Sequence, residues 1–379
     1  MDQRIFSQAI VTPQGLIAGE VVLRGETILA VEPRDGATAG ALDWGRDWLI
    51  PGLVDIHTDN LEKHYQPRPG ALWDAYGAAL AHDGQCASAG ITTVLDSLSL
   101  HGRKEGLDRK EALAPMIAGM DAAQADGALR AEHLLHLRCE VTNPELLTLL
   151  EPHADNPRLK LLSVMDHTPG QRQTANVEAL ESRMVAAGRS EAEIGEMLAK
   201  RHAGRDPGVA QSNRRSVVAF AREYGVPICA HDDATLEHVE EAHDDGCVIA
   251  EFPVTLEAAL LSKRYGMAIC MGGPNFVRGG SHSGNLSARA CAEHDVLDIL
   301  ASDYVPLSML RSAFMLIDDM GWTPQRALAT VAANPARSLG LDDRGEIAPG
   351  QRADLVRVAR RTAGWPVPTE VWLKGRRTA

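Results

Sequence analysis

The chain has 379 residues and carries 38 Lys and Arg against 51 Asp and Glu, which gives a formal net charge of −13. So acidic a protein is a poor partner for nucleic acid or an anionic membrane, and a strongly anionic substrate would need a local cationic pocket. No apolar run reaches the roughly eighteen residues of a membrane span and no signal-peptide pattern is evident, so the sequence predicts a cytoplasmic protein.

Length and cysteine usage add two expectations. A chain of this length exceeds the usual single core, which favours a large barrel accompanied by a small second domain. The six cysteines are scattered without a Cys-x-x-Cys pair, and several lie in apolar runs. Buried thiols are therefore predicted rather than disulfides.

Short strands separated by turns are predicted at both ends of the chain. Apolar runs begin at Ile5 and occupy residues 16–23 and 27–31, with glycines at the turns between them. Residues 345–356 predict turn, strand, turn and strand, and residues 370–375 predict one strand more. Because both ends share this pattern, we expect one small β-sandwich domain made of residues 1–49 and 340–379.

The middle of the chain, residues 50–339, alternates apolar strands with helical patterns, which is typical of βα units. Eight strands are predicted, the number that a (β/α)8 barrel requires. Their last residues are predicted to be Thr58, Asp96, Glu140, His167, His231, Phe252, Met271 and Asp303. The predicted fold class is α/β, a (β/α)8 TIM-like barrel with a small β-sandwich domain built from both termini.

Capping residues mark three of the helices between these strands. A helix over 209–224 stops at Gly225, Thr255 caps a helix over 256–265, and Thr323-Pro324 opens a helix over 324–332.

One polar, helical insertion at about 170–206 interrupts the alternation. Ser190 and Glu193 form a capping-box pattern, and Gly204 is a typical helix stop. Long insertions after barrel strands lie over the catalytic face, so a lid or a substrate wall is expected, with a surface hairpin as the alternative.

The first barrel strand carries the first candidate site. The run 49–59 is apolar, contains Pro-Gly and ends in His57-Thr58-Asp59. An unbroken apolar run is typical of a strand buried on both faces, and period two places His57 and Asp59 on one side of its end. An imidazole and a carboxylate directed at one point form half of a divalent-metal site, whereas two solvent-facing polar residues are the alternative.

Polar residues at the other strand ends favour the metal site. Carboxylates can bridge two ions and neutral imidazoles can hold each ion in place, so a mononuclear or binuclear centre is predicted. The predicted metal ligands are His57, Asp59, Glu140, His167, His231 and Asp303.

These motifs resemble the amidohydrolase superfamily. The resemblance rests on residues 51–59, the histidines at two later strand ends, Ser302-Asp303, Asn334-Pro335-Ala336-Arg337 and Ala353-Asp354-Leu355-Val356. It implies the barrel, the small β-domain and metal-activated hydrolysis, with Asp303 as a metal ligand and general base. Two departures stand out: Asp59 replaces the second His of the usual His-x-His motif, and Glu140 replaces a bridging lysine. The oxygen-rich ligand set keeps zinc as the expected metal but admits manganese or iron.

A narrower resemblance names a substrate class. Residues 59–64, 67–69, 166–171, 231–233, 251–255 and 277–285 are similar to the triphosphate diphosphatases of the carbon–phosphorus lyase pathway. That family hydrolyses a ribose 5-triphosphate to the 5-phosphate and pyrophosphate. The competing reading within the superfamily is hydrolysis of a C–N bond, and the non-enzyme reading is a metal-free barrel kept as an assembly subunit.

A triphosphate needs guanidinium groups and backbone N–H groups, and both are available after the strands. The loop after the seventh strand is glycine-rich and runs into a helix near Leu286, a pattern that favours anions although most such loops are only turns. The predicted substrate-binding residues are Lys63, His64, Arg68, Arg172, Arg278, Gly279, Gly280, Ser281 and His282. The sequence leaves a homo-oligomer open.

Overall fold

The computed structural model describes residues 2–104, 106–170, 172, 181, 184–185, 188–203, 206–281, 284–361 and 364–379. Within these residues, no helix is both long and apolar enough to cross a membrane. All six cysteines are buried and free, as predicted.

The elements alternate strand and helix through the middle of the chain. The strands are β1 (Gln3–Thr12), β2 (Gly15–Arg24), β3 (Thr27–Pro33), β4 (Leu42–Asp43), β5 (Trp48–Pro51), β6 (Leu53–Thr58), β7 (Ile91–Ser99), β8 (Arg103–Lys104), β9 (Leu107–Asp108), β10 (Glu132–Glu140), β11 (Leu159–Met165), β12 (Ile228–His231), β13 (Ile249–Glu251), β14 (Ala268–Gly272), β15 (Ile299–Ala301), β16 (Leu355–Arg360), β17 (Pro366–Leu373) and β18 (Arg376–Arg377).

The helices of the described residues are α1 (Asn60–Tyr65), α2 (Ala75–Ser88), α3 (Arg109–Ala125), α4 (Leu146–Leu150), α5 (Glu191–Ala203), α6 (Pro207–Tyr224), α7 (Leu236–Asp245), α8 (Leu256–Arg264), α9 (Gly273–Arg278), α10 (Ala288–Glu293), α11 (Leu307–Asp318), α12 (Pro324–Ala329) and α13 (Ala333–Ser338), with a 3-10 turn at Glu151–His153.

Both ends of the chain contribute to one sheet, as the sequence predicts. Its strand order is β18-β17-β16-β5-β1-β2-β3, with β4 paired to β1. Strand β5 pairs parallel to β1 and antiparallel to β16, so it joins the two ends. Apolar side chains from both ends share one core, among them Ile5, Leu49 and Trp372. The predicted strand between Gly345 and Pro349 is wrong, because these residues form turns with Ile347 buried in that core.

The chain divides into two compact units. Unit 1 comprises Met1–Asp96, Pro115–Leu134 and Asp298–Ala379, and unit 2 comprises Ser97–Ala114 and Leu135–Leu297. Unit 1 holds the terminal sheet and the parallel strands β6 and β7, and Thr58 at the end of β6 also forms a parallel bridge with Asp303. Strand β6 is buried along its whole length, which explains why its sequence does not alternate.

Unit 2 holds five consecutive parallel strands, from β10 to β14. Two predicted caps are confirmed, although α6 begins at Pro207, two residues before the predicted start, and the helix predicted over 324–332 ends at Ala329. Gly225 ends α6 in the left-handed region, with φ 64°, and the Thr255 hydroxyl accepts from Ala258 N at the start of α8. Unit 1 contributes β6, β7 and β15 to the parallel strands, and unit 2 contributes the other five. Together they give the eight strands of a (β/α)8 fold.

Strand ends differ from the sequence prediction by two or three residues in three places, and by one residue at β13 and β14. Strand β7 continues past Asp96 to Ser99, whereas β11 stops at Met165 and β15 at Ala301. His167 and Asp303 therefore lie two residues beyond their strands. The segment that follows the strand, and not the strand itself, orients these two side chains.

The insertion at about 170–206 is described in part. Its capping box is confirmed, since Ser190 N donates to Glu193 Oε2 at 2.9 Å and Glu193 N donates to Ser190 Oγ at 3.3 Å. The helix that follows is α5. The predicted stop at Gly204 lies outside the described residues.

Candidate active site

Two backbone hydrogen bonds join the end of the first barrel strand to the segment after the last. Asp303 N donates to His57 O and Asp59 N donates to Asp303 O, both at 2.9 Å. These bonds fix Asp59 and Asp303 side by side, one after each strand. The arrangement brings together carboxylates that are about 240 residues apart in the sequence.

His57, Asp59 and Asp303 form one of two donor groups found in unit 1. One ligand atom from each lies within 4.8 Å of the others. His57 is buried, and its Nε2 is 3.6 Å from Asp59 Oδ1, while both carboxylates are partly exposed. One imidazole and two carboxylates suit a divalent ion, so the three residues predicted in this unit fit a metal.

Asp55, two residues before His57 in β6, supports this group. The sequence prediction missed it. Its Oδ1 accepts from Ser302 N at 3.0 Å and from His57 N at 3.3 Å. Burial is the largest influence on this carboxyl and raises its pKa to about 6. Asp55 thus ties the ends of β6 and β15 together, and only its period-two spacing from His57 could have indicated it.

Unit 2 holds a second donor group of His167, His231 and Asp232, whose ligand atoms also lie within 4.8 Å of one another. Glu140 adjoins it, because its Oε2 lies 2.7 Å from His167 Nδ1 and its Oε1 accepts from His167 N at 3.1 Å. Burial raises the pKa of Glu140, but the bonds to His167 outweigh burial and lower it. Asp232 was not among the predicted ligands.

Glu251 holds the His231 ring. His231 Nδ1 lies 2.6 Å from Glu251 Oε2, whereas Nε2 faces Asp232 Oδ2 at 3.1 Å. Burial lowers the pKa of His231, but Asp232 and Glu251 outweigh it and raise it to about 9. A carboxylate on one ring nitrogen leaves the other nitrogen available to a metal, as in many metal sites.

One buried oxygen indicates room for an ion in unit 2. Asp232 Oδ2 is buried and makes no hydrogen bond of good geometry within the described residues, although His231 Nε2 is near. Buried polar atoms are seldom left in this state without an ion or a water. The donor set of unit 2 therefore fits a divalent metal as well.

Backbone strain collects at the same positions. Asp232, Phe252 and Asp303 follow the ends of β12, β13 and β15, and their φ angles are 59°, 57° and 55°. Residues other than glycine rarely adopt this region, and such positions concentrate at functional sites. Asp232 and Asp303 are themselves candidate ligands and Phe252 follows Glu251, although positive φ also occurs outside the donor groups, for example at Asp295.

The predicted phosphate-binding residues of unit 1 lie on α1 and after it. Lys63 Nζ is 3.2 Å from Asn60 Oδ1 and 3.4 Å from Tyr304 O. His64 Nε2 is 3.1 Å from Gln85 Oε1. Arg68 is exposed, and its carbonyl oxygen accepts a hydrogen bond from Ala71 N in a turn. Their role at a phosphate remains a prediction.

The predicted phosphate-binding residues of unit 2 are placed differently from expectation. Arg278 lies in the last turn of α9, not in a loop, and Gly279 ends that helix with φ 79°. The next helix begins at Ala288, two residues after the predicted Leu286. Gly280 and Ser281 lie between the two helices, and His282 lies outside the described residues.

Arg172 is buried and paired. Its guanidinium bonds Asp233 and lies 3.3 Å from Glu241 Oε2. Arg214 also contacts Glu241, at 2.8 Å, and Asp245, at 2.5 Å. Arg172 therefore belongs to a charged network with the segment after β12.

A further buried network in unit 1 was not predicted. His133 Nδ1 lies 3.0 Å from Asp96 Oδ2, and His82 Nε2 lies 2.8 Å from Asp96 Oδ1. His133 Nε2 is 3.4 Å from Asp83 Oδ1, which also accepts from Arg130 N and Ala131 N. Burial lowers the pKa of His133, but Asp96 and Asp83 outweigh burial and raise it to about 9, which favours a protonated ring between the two carboxylates. These residues join α2, β7 and β10.

Comparison with known proteins identifies the class. Residues 48–378 match the model of the amidohydrolase family, and the chain belongs to that family of hydrolases. The predicted membership of the amidohydrolase superfamily and the predicted fold class are thereby confirmed.

Among its relatives is the alpha-D-ribose 1-methylphosphonate 5-triphosphate diphosphatase of Escherichia coli (strain K12). The two are 41% identical over 377 residues, which is 97% of this chain and 98% of the relative. The fold is also that of N-acetyl-D-glucosamine-6-phosphate deacetylase from Mycobacterium smegmatis, with a TM-score of 0.66, 17% identity and full coverage of both chains. 5-Methylcytosine deaminase from Klebsiella pneumoniae matches with a TM-score of 0.64 and 16% identity, over 99% of this chain and 97% of that chain.

Proposed function

We propose that the protein hydrolyses alpha-D-ribose 1-methylphosphonate 5-triphosphate to the 5-phosphate and pyrophosphate, in phosphonate catabolism. The observation that carries the proposal is the 41% identity to the Escherichia coli diphosphatase over almost the whole of both chains. The substrate is a small phosphorylated molecule, which agrees with basic residues after the strands of an otherwise acidic protein.

The ligand set predicted from the sequence is retained as a proposal, with zinc as the metal and manganese or iron as alternatives. It comprises His57, Asp59, Glu140, His167, His231 and Asp303. The donor groups found within each unit support it. A divalent ion, when bound, polarises a phosphoryl oxygen and makes a water molecule more acidic.

The residues of the chain supply the proton transfer. Water attacks the α-phosphorus, its O–P bond forms, and the bond from that phosphorus to the bridging oxygen of pyrophosphate breaks. Asp303 accepts the proton of the attacking water. A structural carboxylate that caps the next helix is the alternative role for Asp303, but the cap position of α11 is Pro306 and has no side-chain cap bond.

Cationic and glycine residues offset the charge of the substrate in this proposal. Lys63, Arg68 and Arg278 contribute positive charge, His64 contributes a ring nitrogen, and residues 279–281 contribute backbone N–H groups. Arg172 was predicted for the same role, but its guanidinium is paired with Asp233 and Glu241. In this proposal, residues 1–49 with 340–379 form a separate small domain. Six buried free thiols support a cytoplasmic location.

Product analysis in labelled water tests the proposal. The metal-loaded protein is incubated with the ribose triphosphate in H2 18O, and ³¹P NMR follows the products. We expect pyrophosphate without label and 5-phosphate carrying one ¹⁸O. Release of ammonia or of an acid from an amide substrate, with the triphosphate untouched, would instead identify a C–N hydrolase.

A further inference from the structure

Arg138 lies on the interior side of the third barrel strand, beside a candidate ligand. Residues two apart on a strand face the same way, so Arg138 and Glu140 share one face of β10. Arg138 is only 8% exposed. A long cation is rarely buried this far unless charged groups or a ligand surround its head.

The guanidinium of Arg138 reaches the donor group of unit 2. Its Nη2 lies 3.4 Å from His231 Nε2, the ring nitrogen opposite the one that contacts Glu251. Arg138 therefore contacts a ring nitrogen of the donor group that could hold a metal.

Arg172, in contrast, is held by carboxylates of its own. Asp233 and Glu241 bind its guanidinium, and Arg214 completes that network. Because Asp233 directly follows Asp232, Arg172 fixes the segment that carries this candidate ligand. Its contacts are those of a residue that positions others.

A guanidinium and a divalent ion held beside the same imidazole would repel each other. Glu140, Asp232 and Glu251 reduce this repulsion, and an anion bound between the two cations would turn it into attraction. A phosphoryl group offers such an anion, and guanidinium forks match its oxygens. The pair of cations is therefore arranged for an anionic substrate rather than for a neutral amide.

On the basis of the function proposed above, we propose that Arg138 binds the phosphoryl group under attack and stabilises the charge that develops on it, and that Arg172 positions the Asp232 segment. Arg138 is then a catalytic residue, and Arg172 acts through Asp233. Removing a preorganised donor of this kind reduces kcat by about 10²–10³-fold.

The test compares Arg138→Met, Arg138→Lys and Arg172→Met with Arg215→Met, a control at an exposed arginine of α6. Three quantities are measured on metal-loaded protein: metal content, the Kd of an α,β-methylene ribose triphosphate, and kcat for pyrophosphate release. The melting temperature and circular dichroism identify any variant that fails to fold, and the Lys variant then supplies the comparison, because it keeps the charge but loses the fork.

For Arg138→Met we expect the metal to be kept or bound more tightly, the analogue to bind at least 10-fold more weakly and kcat to fall about 10²-fold or more. For Arg138→Lys, the analogue Kd and kcat should lie between those of the wild type and of Arg138→Met. Arg172→Met should lower the melting temperature and leave the analogue Kd close to the wild-type value. Wild-type analogue affinity and turnover in both Arg138 variants would overturn the inference, as would loss of analogue affinity in Arg172→Met alone. A wild-type protein that releases no pyrophosphate would instead overturn the proposed function, and this inference with it.

Discussion

Glu251 Oε2 lies 2.6 Å from His231 Nδ1, a contact between the ends of adjacent parallel strands. His231 and Glu251 are paired in the register of β12 and β13, so the contact is built into the sheet. It fixes the ring orientation and directs Nε2 toward Asp232. The sequence shows both residues but not this pairing.

Replacing Glu251 with Gln should weaken metal binding. The amide keeps the size of the side chain but not its charge, so the ring loses the partner that makes Nε2 a better donor. We expect a 10–100-fold lower metal affinity, measured by competition with a chelator of known affinity. Glu257→Gln on the exposed side of α8 is the control, and equal metal affinity in the two variants would contradict the role.

Asp303→Asn should give a folded, metal-loaded and nearly inactive protein. The amide cannot accept a proton, and loss of a general base costs about 10²–10⁴-fold in kcat. Asn tolerates the left-handed backbone of Asp303, and Asp295, with φ 59°, provides a matched Asp→Asn control. Near wild-type turnover in Asp303→Asn, with a lowered melting temperature, would assign the residue to structure.

His57→Ala and His231→Ala should lose metal and activity together. Each removes one imidazole from a different donor group, so the residual metal content of each variant also reports whether one ion or two are held. Elemental analysis and turnover are measured on the same samples. Activity that survives exhaustive chelation of the wild-type protein would exclude metal-dependent hydrolysis.

Arg278→Met should raise KM for the triphosphate and lower kcat while the metal stays bound. The guanidinium lies in the last turn of α9, immediately before Gly279 and Gly280. Arg264→Met at the end of α8 removes an exposed arginine from a comparable helix position. If a neutral ester is affected as strongly as the triphosphate, Arg278 is structural.

The His133 network should make stability fall at alkaline pH. The pKa of His133 is raised from 6.5 to about 9 in the folded state, so its contribution is complete below about pH 6.5 and is lost as pH rises through 9. The difference corresponds to on the order of 3 kcal/mol. Asp96, Asp83, His82 and Cys86 face the ring or its partners, and burial raises the pKa of the Cys86 thiol well above its usual value, so the thiol stays neutral over this range.

Urea unfolding between pH 6 and 10 measures this effect. The wild-type protein and His294→Gln, an exposed control, should lose stability in parallel. His133→Gln should be less stable at pH 6 and approach the wild type as the pH rises. A constant difference between His133→Gln and the wild type across this range would show that His133 is neutral in the fold.

The sequence by itself determined the alternation of eight strands and helices and the small domain from both termini. Strand periodicity and capping residues are local signals, so β6, the Gly225 stop and the Ser190 capping box follow from neighbouring residues alone. His57 and Asp59 could be paired for the same reason, because period two acts within one strand. Polar residues at the later strand ends then added Glu140, His167, His231 and Asp303, and the family resemblance gave Asp303 its predicted role as general base.

Only the tertiary structure decided which partners these side chains take. Arg138 meets His231 across 93 positions of sequence and Arg172 meets Asp233 across 61, and His133 lies between two aspartates from α2 and β7. Such contacts depend on strand register and on the course of the chain after each strand, which no local pattern encodes. Three arginines that the sequence does not distinguish therefore have different surroundings in the fold. Arg138 lies beside an imidazole, Arg172 is bound by carboxylates and Arg278 lies at the end of a helix. Burial and neighbouring charge set these environments, and both come from residues far away in the chain.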